Sequence, residues 1–502
     1  VKTFYVENFG CRATQADGAA LARQFRDRGL EQVAGFSQAE IVVVNTCTVT
    51  EAADQEARAT IRRIHRTNPD CRIVVTGCYA QRAPQELAGL PGVAQVIGNS
   101  HKHRLVDIVI PAEGEVEIER GGETKAPKTA DFVPVSRLAP GTNRRTSDPA
   151  WSTTGEQAPI FVSDIFAHTE LLAPLLDAAQ ERTRPILKVQ DGCDNRCSFC
   201  VIPYVRGSSR SLPPGRILEE LNRLIAAGYR EVVLSGINLG RWGRDLRRRE
   251  FGTPAGETAI RAERSLGLED LVRSILTHTS LEKLRISSVE PMDWTDQLIH
   301  LLAKSSRIAK HAHVPMQSGS DRILRGMHRK YRPWHYREKI LALRAAMPAA
   351  AIGADVMVGF PGETDRDFGE THRMVEELPF TYLHVFPYSA RPGTEAAAMG
   401  EQVSAKVAEE RSRILRQLAG EKKLSFMRSL IGQSLAAITL DSRAQREAGP
   451  GRGGFAEALT DNYLKLWLRG EHEPNRWFEA EIEDVKDGRL IGAAMSSATN
   501  LG

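Results

Sequence analysis

The stretch QDGCDNRCSFCVIPYVRG, residues 190–207, holds three cysteines, Cys193, Cys197 and Cys200, with three residues and then two between them and no cysteine after them. Three thiolates complete a zinc tetrahedron only with a fourth ligand, and no histidine lies within twenty residues on either side. A 4Fe-4S cluster held by three cysteines instead keeps one iron open for another ligand. The other four cysteines, Cys11, Cys47, Cys71 and Cys78, fall in the first eighty residues. A total of seven is odd, and the opening VKTFYVENFG reads as a strand, not a signal peptide. Both facts argue against a disulfide framework and for metal or redox chemistry.

The N-terminal elements place their cysteines. TFYVENF, EIVVVNT, CRIVVTG and VAQVIGN read as buried strands of a parallel sheet. Between them lie a helix in TQADGAALARQFRDRGL, stopped near Gly29, and a polar helix from about Thr50 that ends before Pro69. The expected fold there is a doubly wound parallel sheet. Cys11, Cys47 and Cys78 each directly follow a strand, so all three come to its carboxyl edge, where such sheets build their sites. Their shared edge favours an iron-sulfur or zinc site over three buried small side chains. Cys71 precedes its strand and reads as structural.

Downstream, PILKVQDG, EVVLSGIN, KLRISSVEP, HAHVPMQSG, AIGADVMVGF and YLHVFPYS read as six strands separated by helices such as PPGRILEELNRLIAAGYR, with Ile217, Leu221, Leu224 and Ile225 on one face. This predicts a partial (β/α)6 barrel, with its chemistry at the strand C-termini. Ser235, Asn238, Ser287, Ser288, Glu290, Gln317, Ser318, Asp355, Ser389 and Arg391 fall there. His311 and His313 form an H-x-H pair, for which ordinary strand packing is the preferred reading over metal binding.

At 502 residues the chain exceeds one core, and no run of eighteen apolar residues occurs, so a cytoplasmic protein without membrane association is expected. A net charge of +4 permits an RNA partner without requiring one. Residues 111–180 are rich in charge, Pro, Gly and Ser and read as linker or insertion, with an amphipathic helix near ELLAPLLDAAQ. A second insertion, 240–264, carries many arginines suited to RNA contact, for which a solvated loop is the preferred reading. After about residue 427, SLAAITL, FAEALTDNY, LKLWLRG and RWFEAEIEDV predict a small β-barrel, whose Tyr463, Trp467, Arg469, Arg476 and Trp477 suit either RNA or its own core.

The C-x-x-x-C-x-x-C spacing with Phe199 before the last cysteine resembles the radical S-adenosylmethionine (SAM) superfamily. FGCR, NTCTVT, TGCYAQ, GCDNRCSFCVIP, RISSVEP, VPMQSGSDRILRGMHRKY, VGFPGET and FPYSARPGTEA together resemble the methylthiotransferases of that superfamily. The resemblance implies an N-terminal domain 1–110, a linker 111–180, a radical SAM barrel 181–426 and an RNA-binding TRAM domain 427–495. It also implies two 4Fe-4S clusters. Cys193, Cys197 and Cys200 would hold the one that binds and cleaves SAM to a 5′-deoxyadenosyl radical, and Cys11, Cys47 and Cys78 the auxiliary one that carries sulfur. Gly236 and Asn238 would meet the amino group of SAM, Gln317 its ribose, and Val358, Gly359 and Glu363 its adenine. NTCTVT, RISSVE and HRKY are similar to the branch that adds a methylthio group to carbon 2 of N6-threonylcarbamoyladenosine, 3′ of the anticodon of tRNA. The isopentenyladenosine and ribosomal-protein aspartate branches are the alternatives, and a non-catalytic iron-sulfur RNA-binding protein is a third. An electron donor such as flavodoxin or ferredoxin is implied, and the sulfur donor is left open. Thr14 stands where the family commonly has Asn.

Overall fold

The computed structural model describes residues 2–111, 157–168, 183–246, 266–441 and 454–495. The amphipathic stretch near 170–180, most of 111–180, and 247–264 of the second insertion lie outside the described residues. Two compact units result. One comprises Val1–Ala173, Gly192–Ser208 and Ser389–Ala398; the other comprises Pro174–Asp191, Ser209–Tyr388 and Met399–Gly502. The first therefore takes in the cysteine loop and a second short segment from within 181–426.

In the first unit six strands form one parallel sheet: β1 (Thr3–Asn8), β2 (Glu31–Gln32), β3 (Ile41–Thr46), β4 (Arg72–Gly77), β5 (Val93–Gly98) and β6 (Ile160–Phe161), in the order β2-β1-β3-β4-β5-β6. Every residue of β3 is buried, because both faces are covered. Val42, Val44, Ile73 and Val75 pack on one face with Ile61 and Ile64. Ile41, Val43 and Val74 pack on the other with Leu21 and Phe25. Those partners come from helices α1 (Arg12–Asp27) and α2 (Glu51–Thr67). Gly29, at φ +79°, follows α1 in the left-handed conformation that ends helices, and the Thr50 hydroxyl accepts from Ala53 N to cap α2. The expected doubly wound sheet is present. Its strand order reverses between β1 and β3, the switch point where such sheets open a crevice.

In the second unit β7 (Ile186–Asp191), β9 (Glu231–Gly236) and β10 (Lys283–Ile286) run parallel, with β8 (Arg210–Ser211) antiparallel on β7. A further parallel set is β11 (His311–His313), β12 (Ala351–Val358) and β13 (Tyr382–Pro387). Parallel bridges Leu284–Ile308 and Ser288–His313 join the sets, giving the six-stranded partial barrel the sequence predicts. Helix Ala405–Arg428 leads to a closed barrel of β14 (Ser434–Thr439), β15 (Phe455–Thr460), β16 (Lys465–Arg469), β18 (Arg489–Ala494) and β17 (Trp477–Lys486). Its core is Ala437, Ala458, Leu466, Leu468, Ile482 and Leu490, closed below by Met427 and Leu430. No helix among the described residues is long and apolar enough to cross a membrane.

The small barrel is tied to the partial barrel by buried polar contacts. Arg285 is fully buried, donates to Glu231 at 2.6 Å and to the carbonyl of Asp461 at 3.0 Å, and lies 5.3 Å from the Tyr463 ring centre. Glu231 is equally buried and also lies 3.5 Å from Arg184, so without Arg285 it keeps one longer ion pair. Arg285→Met should cost about 1–3 kcal/mol in urea unfolding, and the double variant with Glu231→Gln should lose less than the sum of the two single losses. Strictly additive losses would contradict this coupling.

Candidate functional site

Cys11, Cys47 and Cys78 follow β1, β3 and β4, three adjacent strands across the switch point. Two of the three turns, those before Cys11 and Cys78, are shaped by a neighbouring glycine. Gly10 has φ +88°, and a Cβ there would lie 2.5 Å from Cys47 Cβ. Gly77 has φ +101°, and its Cβ would fall 2.3 Å from the Thr46 carbonyl oxygen. Only glycine lets β1 and β4 turn this sharply against the backbone and side chains of β3.

The polar residues of NTCTVT each find a partner. Asn45 donates to Asn8 Oδ1 at 3.0 Å and the Thr14 carbonyl at 2.8 Å, and the Thr46 hydroxyl donates to the Thr76 carbonyl at 2.6 Å. Arg82 Nε donates to Thr48 Oγ1 at 2.9 Å, and Arg82 and Arg391 both reach Asp54 Oδ2 at 2.9 Å. Ser389 accepts from Glu51 N at 3.1 Å. Ser389 and Arg391, read from the sequence as barrel strand ends, thus steady the turn after Cys47 within the first unit.

The thiols interact. Burial first, then the nearby Cys78 and Cys11, push the Cys47 thiol up to about 12, while Arg206 and a backbone hydrogen bond at Val49 oppose the rise. The Cys47 thiol therefore favours its neutral form unless a cation, in solution or in a metal centre, balances it. Arg206 is 1% exposed, paired with Asp17 at 3.1 Å and 3.5 Å from Thr14 Oγ1. Lys102 meets the same Asp17 oxygen at 3.2 Å and Asn45 Oδ1 at 3.1 Å. Arg206 and Lys102 thus share Asp17, and the Arg206 guanidinium acts on Cys47, the kind of positive charge an iron-sulfur core on three thiolates calls for. Thr14 Oγ1 lies 3.5 Å from Cys11 Sγ, and Asn99 donates to Cys78 Sγ at 3.5 Å. Cys71 is buried in the core instead.

The second triplet belongs to the same unit. Cys193 N donates to the Gly207 carbonyl at 3.0 Å, Cys200 N to Cys197 O at 3.0 Å, and Asn195 N to Cys193 Sγ at 3.4 Å. The three cysteines and Phe199 are half-buried, leaving the loop accessible. Helix Ile202–Arg206 follows at once; its Val205, with Val201, packs on Cys78, and Asn99 donates to the Val205 carbonyl at 2.8 Å. Arg206 ends that helix. Neither Arg206, Asp17 nor Lys102 stands out in the sequence, because only the fold brings residues so far apart in the chain together.

In the second unit the expected cofactor-binding residues sit on turns after β9, β11 and β12. Gln190 Oε1 accepts from Asn238 N at 2.7 Å and lies 3.0 Å from where a Gly236 Cβ would be. Gln317 has φ +63°, unusual for a residue with a side chain, and its buried Oε1 has no hydrogen-bond partner among the described residues. Glu363 accepts from Gly359 N and pairs with Arg411 at 2.8 Å, so it braces the turn that carries Val358 and Gly359. Burial pushes its carboxyl up, and the Gly359 amide and Arg411 oppose that. Ser235 and Ser287 are buried, Ser318 lies 3.2 Å from Thr371 Oγ1, and Glu290 pairs with Arg329. Arg244, in the described start of the second insertion, pairs with Asp293 at 2.9 Å. In the small barrel Arg469 pairs with Glu483 and Arg476 with Glu473. Lys283 lies 4.9 Å over the Trp477 ring, and Trp467 is 40% exposed.

Residues 3–98 match the Uncharacterized protein family UPF0004, and residues 187–375 match the Radical SAM superfamily. The chain is 32% identical to Threonylcarbamoyladenosine tRNA methylthiotransferase MtaB of Bacillus subtilis, over 94% of this chain and 91% of that one. It is 30% identical to tRNA-2-methylthio-N(6)-dimethylallyladenosine synthase of Novosphingobium aromaticivorans, over 99% and 96%. Among solved structures, the radical S-adenosylmethionine methyltransferase TsrM from Kitasatospora setae, with cobalamin and a [4Fe-4S] cluster bound, shares the fold at TM-score 0.51 and 16% identity, over 79% of this chain and 76% of that one.

The turn geometry makes a test. Gly10→Ala should cost about 1–3 kcal/mol and force Cys47 aside. In a chain with Cys193, Cys197 and Cys200 replaced by Ala, it should cut iron uptake on anaerobic reconstitution well below the about four irons of one cluster. Undiminished iron would show that the turn after β1 tolerates a side chain.

Proposed function

Because the chain belongs to the radical SAM methylthiotransferase family, we propose that it adds a methylthio group to carbon 2 of N6-threonylcarbamoyladenosine, 3′ of the anticodon in tRNA. The family uses SAM and two 4Fe-4S clusters. In our reading Cys193, Cys197 and Cys200 hold the cluster that binds SAM, and Cys11, Cys47 and Cys78 hold the auxiliary one. Together these groups supply one-electron chemistry at an unactivated C–H bond and a source of sulfur, neither of which any side chain offers. The observation that carries the reading is the gathering of both cysteine triplets in one compact unit, with the helix that follows Cys200 packed on Cys78.

The chain's own residues bind, orient and balance charge. Gly10 and Gly77 shape the turns that carry the N-terminal thiols, and Arg206 opposes the rise of the Cys47 thiol. The unsatisfied Gln317 amide oxygen is suited to accept from a ribose hydroxyl of SAM, and Phe199, Gly236, Asn238, Val358 and Gly359 to line the rest of that ligand, with Glu363 bracing the adenine turn. Lys465, Trp467 and Arg469 alternate outward along β16, a basic and aromatic row fit to hold RNA by phosphate contact and stacking in the manner of a TRAM domain. In this reading residues 1–110, 111–180, 181–426 and 427–495 divide these roles among them. The protein works in the cytoplasm, where tRNA is, and takes electrons from a donor such as flavodoxin or ferredoxin.

Mass spectrometry of tRNA nucleosides from cells with and without the gene tests the substrate: the methylthio form of threonylcarbamoyladenosine should vanish without it. Loss of the methylthio form of isopentenyladenosine instead would move the protein to the other tRNA branch. In vitro, Cys47→Ala should still release 5′-deoxyadenosine from SAM yet make no methylthio product, whereas Cys193→Ala should do neither. Loss of both reactions in a folded Cys47→Ala protein would contradict separate roles.

A further inference from the structure

Three side chains on β11, β12 and β13 form a cluster that neither cysteine triplet nor the SAM-binding turns use. The register sets Gly353 beside His313 and Tyr382, and Asp355 beside His384. Gly353 and Asp355 are two apart on β12, so His313, Asp355 and His384 leave the same face of the sheet. His313 Nε2 and His384 Nδ1 each lie 3.1 Å from Asp355 Oδ1, and the three ligand atoms lie within 4.8 Å of one another.

Both imidazoles converge on one carboxylate oxygen. His384 Nδ1 hydrogen-bonds Asp355 Oδ1, whereas His313 Nε2, at the same distance from that oxygen, makes no hydrogen bond of ordinary geometry among the described residues. His313 is 8% exposed, so solvent does little to satisfy that nitrogen. Two ligands about 2.1 Å from a common ion stand about 3.0 Å apart at an octahedral angle and about 3.4 Å at a tetrahedral one. The observed spacing of 3.1 Å lies in that interval. His311, the other half of the H-x-H pair, is engaged elsewhere: its Nε2 lies 2.7 Å from the Tyr382 hydroxyl.

We propose that His313, Asp355 and His384 form a divalent metal site that takes a first-row transition ion such as zinc, with the remaining coordination positions open to water or an oxygen ligand. Two imidazoles and one carboxylate select such ions over magnesium or calcium, which prefer all-oxygen ligation. The His384 side chain is 58% exposed, so an ion can reach the site from solvent.

Zinc titrated into the holoprotein, with its clusters already reconstituted so that the cluster thiols are occupied, tests the assignment by calorimetry. One ion should bind per chain at this site. Asp355→Asn and His313→Ala should each weaken it ten- to hundredfold or more, and His311→Phe should leave it unchanged. Iron content and the thermal melt report folding, and the near-isosteric Asp355→Asn decides the matter if His313→Ala unfolds. No zinc binding by wild type, equal affinity in Asp355→Asn, or equal loss in His311→Phe would overturn the proposal.

Discussion

Three thiols crowded at one sheet edge repel as they ionise, and a single buried guanidinium, Arg206, answers that repulsion. It lowers the Cys47 thiol against the combined push of burial, Cys78 and Cys11. Asp17 pairs with both Arg206 and Lys102, so each buried cation sits against a carboxylate. Such an arrangement is costly to bury unless it serves an anionic centre. Arg206 ends the short helix that begins just beyond Cys200, so the residue that balances the first triplet is delivered by the second.

That economy explains why the cysteine loop folds with the N-terminal sheet. Val201 and Val205 pack on Cys78, and the loop's first amide is held by Gly207. The Ser389–Ala398 segment adds Arg391, which grips Asp54 and the Thr48 carbonyl on the turn that carries Cys47. Both sets of thiols are thereby fixed by one network of buried contacts, which suits chemistry in which a sulfur source and a radical source act on the same base.

Much of this was legible in the sequence. Strand-like runs followed at once by cysteine placed Cys11, Cys47 and Cys78 on one edge, and each of the six barrel runs contains a strand, although β10 and β11 span only four and three residues of their nine. What escaped depends on neighbours across the sheet. The short strands β2 and β6 carry too few residues for a periodic signal, and β6 joins its sheet from beyond residue 111. Arg206 and Asp17 lie 189 positions apart and read singly as ordinary surface charges. Asp355 and His384 are 29 positions apart and meet only through the β12–β13 register. Tyr463, weighed as either an RNA contact or core, lies against Arg285 and His311, neighbours that only the fold brings to it.

The account stands on two separate clusters held by two cysteine triplets. The most direct test is iron and Mössbauer analysis of the anaerobically reconstituted chain, alone and with each triplet replaced by alanine. About eight irons per wild-type chain, falling to about four in either triple variant, is the predicted result. Wild type that holds about four irons at full activity, all of them lost with Cys193, Cys197 and Cys200, would contradict it.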